Sequence, residues 1–272
     1  MAMDRARAGA RVLVALGVLA GAAPVEAWGP VVHQEITSKA IDTLPKGIKP
    51  FYKAHRLELP TLSVEPEIPD EGRERRFAVD KVMKFPFWEV PRDEAQFKAK
   101  FPDAGDIGRL PWLIDEAYAR LVEAFKSGDK GRILTESDTL AGLVADLQNP
   151  LALTENADGQ KTDQHGLWVR FSARLPEAME RRLKLSGDAA ILLEDPKGYV
   201  LSMMNRTYVW VDNILYGDEL ARRGKSGYTE IYYEAAEERV GIILRDHLSQ
   251  AANDVGSYWY TAWTAAGRPE LK

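Results

Sequence analysis

DLQNPLALTENADGQ, residues Asp146 to Gln160, decides how this chain is read. The run before it, GRILTESDTLAGLVADLQN, spaces its apolar residues as a helix does and stops at Pro150, so Asp146 falls at a helix end. Residues 152–166 follow as a polar loop rich in Asn, Asp and Gly. A helix end that hands an acid to a loop is a frequent way to line a site. Yet the quoted stretch contains no histidine and no cysteine.

Working outward, the pattern stays helical. In VVHQEITSKAIDTL, Val32, Ile36, Ala40 and Leu44 recur four apart on one face, and Pro45 and Gly47 close the segment. Residues 60–92 are broken by six prolines or glycines among acids and arginines, and read as a long loop or flap. PWLIDEAYARLVEAFKSGD places Pro111 at a first helical position and ends at Gly128. GLWVRFSARLPEAMERRL predicts a helix running to about Gly187, and residues 196–222 and 229–265 predict two more long helical stretches. No strand alternation persists. One all-α domain of roughly seven helices, residues 28–272, fits this order.

Residues 1–27 read differently. Arg5, Arg7 and Arg11 precede a short apolar run, Val12 to Ala20, and Val25-Glu26-Ala27 ends in a small residue before Trp28. That is the pattern of a secretory signal peptide cleaved after Ala27. The expected mature chain begins at Trp28, has no transmembrane anchor, and is secreted or periplasmic. With no cysteine it has no disulfide, thiolate ligand, thiol nucleophile or lipid-bearing cysteine. The net charge is −5, and losing residues 1–27 removes a further net positive charge. Such a balance argues against non-specific attraction to nucleic acid, although a local basic cleft stays open. There is no glycine-rich phosphate loop followed by Lys, no Gly-x-Ser-x-Gly elbow and no His-Glu-x-x-His pair.

WGPVVHQEIT from Trp28, LAGLVADLQNPLALTENADGQ and GLWVRFS, taken in order with SYWYTAWTAAGRPEL near the C-terminus, resemble the superfamily of zinc-dependent bacterial phospholipase C and fungal single-strand-specific nucleases. The resemblance implies an all-α fold and a site of three zinc ions that hydrolyses phosphate esters. It also implies roles for particular residues. The Trp28 amine and carbonyl, His33 and the bridging Asp146 match the ligands of one zinc. The other ligand positions fall on Glu67, Phe77, Gly142, Ala152, Trp168 and Ser172, of which only Glu67 can ligate. The family site uses five histidines, and this chain has four in all: His33, His55, His165 and His247. The full cluster cannot be built.

The residues themselves leave alternatives open. His33 fits a satisfied core histidine as well as a ligand. Asp146 fits a cap, or an acceptor for Arg170. Glu67 fits a solvated acid. Asp163 and His165, two apart in a loop, could share a metal. Tyr258, Trp259, Tyr260 and Trp263 fit helix packing better than a base-stacking platform. The resulting expectation is a non-catalytic binding or scaffold protein with a refilled metal cavity, its partner unknown. The alternative is a weak phosphoesterase holding at most one zinc at Trp28, His33 and Asp146 and accepting a phosphate ester.

Overall fold

The computed structural model describes residues 28–59, 74–180 and 182–271. The expected signal peptide and Glu67 lie outside the described residues. The helices are α1 (Pro30–Thr43), α2 (Lys49–Ala54), α3 (Glu94–Lys100), α4 (Leu110–Ser127) and α5 (Lys130–Leu147). Next comes α6, helical at Leu167–Val169 and Leu175–Met179 with a π turn at Arg170–Arg174 between. Then follow α7 (Pro196–Tyr208), α8 (Val211–Arg222) and α9 (Glu230–Ala265). No strand occurs among the described residues, so the all-α reading holds. None of the described helices is long and apolar enough to cross a membrane.

Local signals set the ends of these elements. Gly128 adopts φ +70 and closes α4, where a side chain would be strained. The Asp129 carboxylate then accepts from the Arg132 N–H and opens α5. On α1, Val32, Ile36 and Ala40 are buried, as their spacing predicts. The single stretch expected over 196–222 is divided at Val209–Trp210 into α7 and α8.

The 36-residue α9, about 54 Å long, is the axis against which α1, α4, α5, α6 and α8 pack. Of its aromatic run, Tyr258, Trp259 and Trp263 are buried and Tyr260 is half-buried, in line with helix packing. Trp259 stacks on Tyr52 with ring centroids 4.4 Å apart, and its indole N–H donates to the Ser137 carbonyl at 2.9 Å. Tyr258 donates to the Pro196 carbonyl at 2.9 Å.

One expectation fails. The helix predicted to reach about Gly187 stops at Met179, and residues 183–194 form no helix. The reason lies on α9. Ser249, Asn253, Ser257 and Thr261 recur four apart on one face, and their oxygens accept from the N–H groups of Ser186, Asp188, Ile191 and Leu193. Four helical residues rise about 6 Å, close to two extended residues. The polar stripe of α9 therefore bonds an extended chain along its length, and at the buried Leu193 it satisfies a donor that would otherwise be unpaired.

Gly256 lies within that stripe and lets α1 approach. A methyl group there would sit 2.0 Å from Thr43 Oγ1 and 3.2 Å from the Ala40 carbonyl oxygen. Thr43 Oγ1 is itself bonded to that carbonyl at 2.7 Å. Gly to Ala inside a helix normally gains about 1 kcal/mol, but here overpacking should outweigh it. Gly256→Ala is expected to lose about 1–3 kcal/mol in urea unfolding. A more stable variant would show that α1 and α9 are free to separate.

Candidate functional site

Asp146 occupies the last turn of α5 and is fully buried. Gly29 and Trp28 lead into α1 beside it. The Trp28 indole donates to the Ala145 carbonyl at 2.8 Å, and the Gly29 N–H donates to the Ser172 carbonyl at 3.2 Å. These anchors bring His33, one turn into α1, against the acid. His33 Nε2 lies 3.3 Å from Asp146 Oδ1. The alignment is poor, and neither atom has a hydrogen-bond partner among the described residues. The structure thus brings Trp28, His33 and Asp146 together.

The other Asp146 oxygen is taken. Arg75 Nε donates to Oδ2 at 2.5 Å. Its Nη2 lies 2.8 Å from where a side chain on Gly142 would begin. The guanidinium therefore fills the space one turn before Asp146 and neutralises it. Arg170, the donor considered for Asp146 from sequence, bonds elsewhere. It pairs with Asp218 at 3.0 Å and donates to the Gln164 and His165 carbonyls. Reading the sequence missed Arg75, because nothing in ERRFAVD separates the arginine on Asp146 from the equally half-buried Arg76 beside it.

The other positions that the resemblance matches to ligands hold packing groups. Phe77 is buried between Phe97 and Trp112, with ring centroids 5.3 and 5.1 Å away. Its N–H donates to the carbonyl of the fully buried Ala152 at 2.7 Å. Trp168 is buried under the Arg76 guanidinium, 5.4 Å from its ring centroid. Ser172 accepts from Asn149 Nδ2 at 2.8 Å. Asp163 and His165 are exposed. Among the described residues, no three His, Cys, Asp or Glu side chains converge as a metal would require.

The polar loop is bonded to itself. Asp80 accepts from the Thr154 hydroxyl at 2.6 Å and the Glu155 N–H at 2.7 Å. Asp158 accepts from the N–H groups of Gly166 and Trp168 at 2.9 and 3.1 Å and so caps α6. Gly159 has φ +70, and a side chain there would meet Gln164 at 2.5 Å. These bonds fix the conformation of the loop.

A second buried polar centre begins two residues after Asp146. Gln148 donates to Asp254, which also accepts from Tyr199 at 2.7 Å, Arg206 at 2.5 Å and Gln250 at 2.9 Å. The Gln148 carbonyl oxygen accepts from Thr207 and lies 3.2 Å from His247 Nδ1. Burial, with the Arg206 charge adding to it, pushes His247 down to about 4 from its ordinary 6.5. The folded ring stays neutral while the unfolded ring takes a proton, so its contribution is complete above pH 6.5 and fades as pH falls toward 4. Between pH 7 and pH 5 it should cost about 2 kcal/mol. Urea titrations of wild type and His247→Gln at both values check this: the variant should lose less stability than wild type over that interval. Equal losses would mean that His247 is not buried neutral.

No family model matches the chain, and no curated protein is significantly similar to it.

Proposed function

We propose that this chain is an exported, non-catalytic relative of the zinc phospholipase C and single-strand nuclease superfamily, retained as a binding or scaffold protein. The observation that carries this reading is Arg75. Its guanidinium lies on Asp146, in the space beside Gly142, and supplies internally the positive charge that a metal would bring. A three-zinc cluster does not fit residues such as Phe77, Gly142, Ala152, Trp168 and Ser172, which offer it no ligand set.

A second reading rests on a separate observation. His33 Nε2 and Asp146 Oδ1 face each other across 3.3 Å without hydrogen-bond partners, and buried atoms in that state call for an ion or a water. With the Trp28 amine and carbonyl they could hold one zinc. Such an ion would supply a Lewis acid and an acidified water, without a second metal to clamp a phosphate ester. Arg75 opposes this, since it already compensates the same carboxylate.

Zinc analysis of protein never exposed to chelator separates the readings. Wild type is expected to hold at most one zinc per chain and to hydrolyse a chromogenic phosphodiester at background rate. His33→Ala should remove any zinc that is bound. Arg75→Ala leaves a buried charge without its cation, so it should cost about 3 kcal/mol of stability and raise zinc affinity at the vacated carboxylate. Two or three tightly held zincs, or robust turnover that survives His33→Ala, would overturn the proposal.

Export and processing belong to the same reading. Cleavage after Ala27 frees the Trp28 amine, and Trp28 is already buried with its indole anchored on α5. Mass spectrometry of exported protein should find Trp28 as the first residue. A mature species retaining Val12 to Ala20 would contradict this and would block the amine as a ligand.

A further inference from the structure

An apolar groove of about 200 Å³ lies between the start of α1 and the end of α6, and takes in none of Trp28, His33 and Asp146. Val31 and Val32 line it from α1, Ala173 and Pro176 from α6, and Leu183 from the chain just beyond α6. The two helices are fastened at its edge. The Gly29 N–H donates to the Ser172 carbonyl at 3.2 Å, and a side chain on Gly29 would start 3.4 Å from the Ala173 Cβ. Leu183 is placed by its own N–H, which donates to the Met179 carbonyl at 2.8 Å. A groove so braced loses little freedom when it binds. Val31 is 52% exposed, so apolar surface is left in water here and would be covered by an apolar ligand.

We propose that this groove binds an amphiphilic organic cation, a free small molecule in which a short alkyl body carries an ammonium group. The apolar lining takes the body, and the charge around it selects the head. Three carboxylates stand there, Glu35, Glu177 and Glu180. Glu177 is paired with Arg174 at 2.9 Å and is left out of the count. Glu35 and Glu180 make no hydrogen bond or ion pair among the described residues. Two uncompensated negative charges therefore remain at the groove. An apolar anion would gain the lining but be pressed against them, and an alcohol would leave them unanswered.

The surroundings do not supply the missing cation. Among the described residues, no lysine, arginine or histidine lines the groove. Lys39, one turn on from Glu35, is drawn elsewhere: its Cε lies 2.8 Å from where a side chain on Gly187 would start. Arg182 is held by Glu237 at 2.5 Å. The C-terminal end of α6 adds partial negative charge beside Glu180. At the start of α1, which would favour an anion, the Gly29 N–H is taken by Ser172 and Pro30 has none to offer. The volume lies below the roughly 300–1,000 Å³ usual for drug-sized ligands, which favours a short chain.

Calorimetric titration of the purified protein with butylammonium and hexylammonium tests the proposal, with 1-hexanol, hexanoate and N-acetyl-lysine amide as comparison probes. Hexylammonium should bind saturably at one per chain, more tightly than butylammonium, and about tenfold more tightly than hexanol or hexanoate. Glu35→Gln and Glu180→Gln, both at exposed positions, should each weaken it about threefold and together about tenfold, with the melting temperature unchanged. Val31→Ser, also exposed, should weaken hexylammonium more than butylammonium. The proposal fails if no ammonium probe binds, or if hexanol or hexanoate binds as tightly as hexylammonium. It fails equally if the double carboxamide variant keeps full affinity. Binding of N-acetyl-lysine amide as tight as that of hexylammonium would also overturn it, because the groove would then serve a lysine of a protein partner. Zinc content does not enter these outcomes, so they stand or fall apart from the reading of Asp146.

Discussion

A buried carboxylate at the wrong end of a helix sets the terms for this molecule. Asp146 is fully buried in the last turn of α5, where unpaired carbonyls already place partial negative charge. An isolated anion there costs several kcal/mol, more than most single contacts return. A cation must therefore reach it. Arg75 does so from a segment 71 residues earlier in the chain. Closing that ion pair fixes where the 74–82 stretch lies, and with it Phe77 on Ala152 and Arg76 on Trp168. A metal could meet the same requirement, but it demands several ligands at once. A guanidinium demands only room, and Gly142 provides that room.

The four residues that end α5 act as a junction. Asp146 engages Arg75 and faces His33, Gln148 joins Asp254 and His247, and Asn149 reaches Ser172 on α6. Leu147 between them is fully buried in the apolar core. Each polar side chain thus leaves the helix in a different direction and bonds a different element. Such an end is polar without being solvated, and every partner it lacks would be felt as an unpaired buried group. This accounts for DLQN sitting in the middle of an apolar core.

Much of the fold was legible because its signals are local. Pro111 and Gly128 bracket α4, and four-residue spacing on α1 marks its buried face. The helix predicted to reach about Gly187 misled because its last residues carry a helical pattern, while the groups that hold the 186–193 stretch extended are Ser249, Asn253, Ser257 and Thr261, more than sixty positions away. A polar stripe of this kind reads in sequence as a solvated helix face. The meeting of Trp28, His33 and Asp146 was expected from the family resemblance, and the structure brings them together. Arg75 was not legible. Its importance comes from the space that Gly142 leaves open, and a missing side chain carries no signal in a single sequence.

A polar centre inside an apolar core must leave no group unsatisfied, and the structure has three ways to achieve this. It can fill the volume with apolar side chains, as Phe77 and Trp168 do. It can pair polar groups with each other, as Asn149 and Ser172 do. It can bring in an internal counter-charge, as Arg75 does. Within this centre, among the described residues, His33 Nε2 and Asp146 Oδ1 escape all three. They sit at the place where His33, on α1, comes closest to Asp146, on α5, so filling that gap would mean moving two helices that α9 holds in register through Gly256 and Trp259. That polar pair is thus the part of the centre that side-chain packing alone is least able to fill.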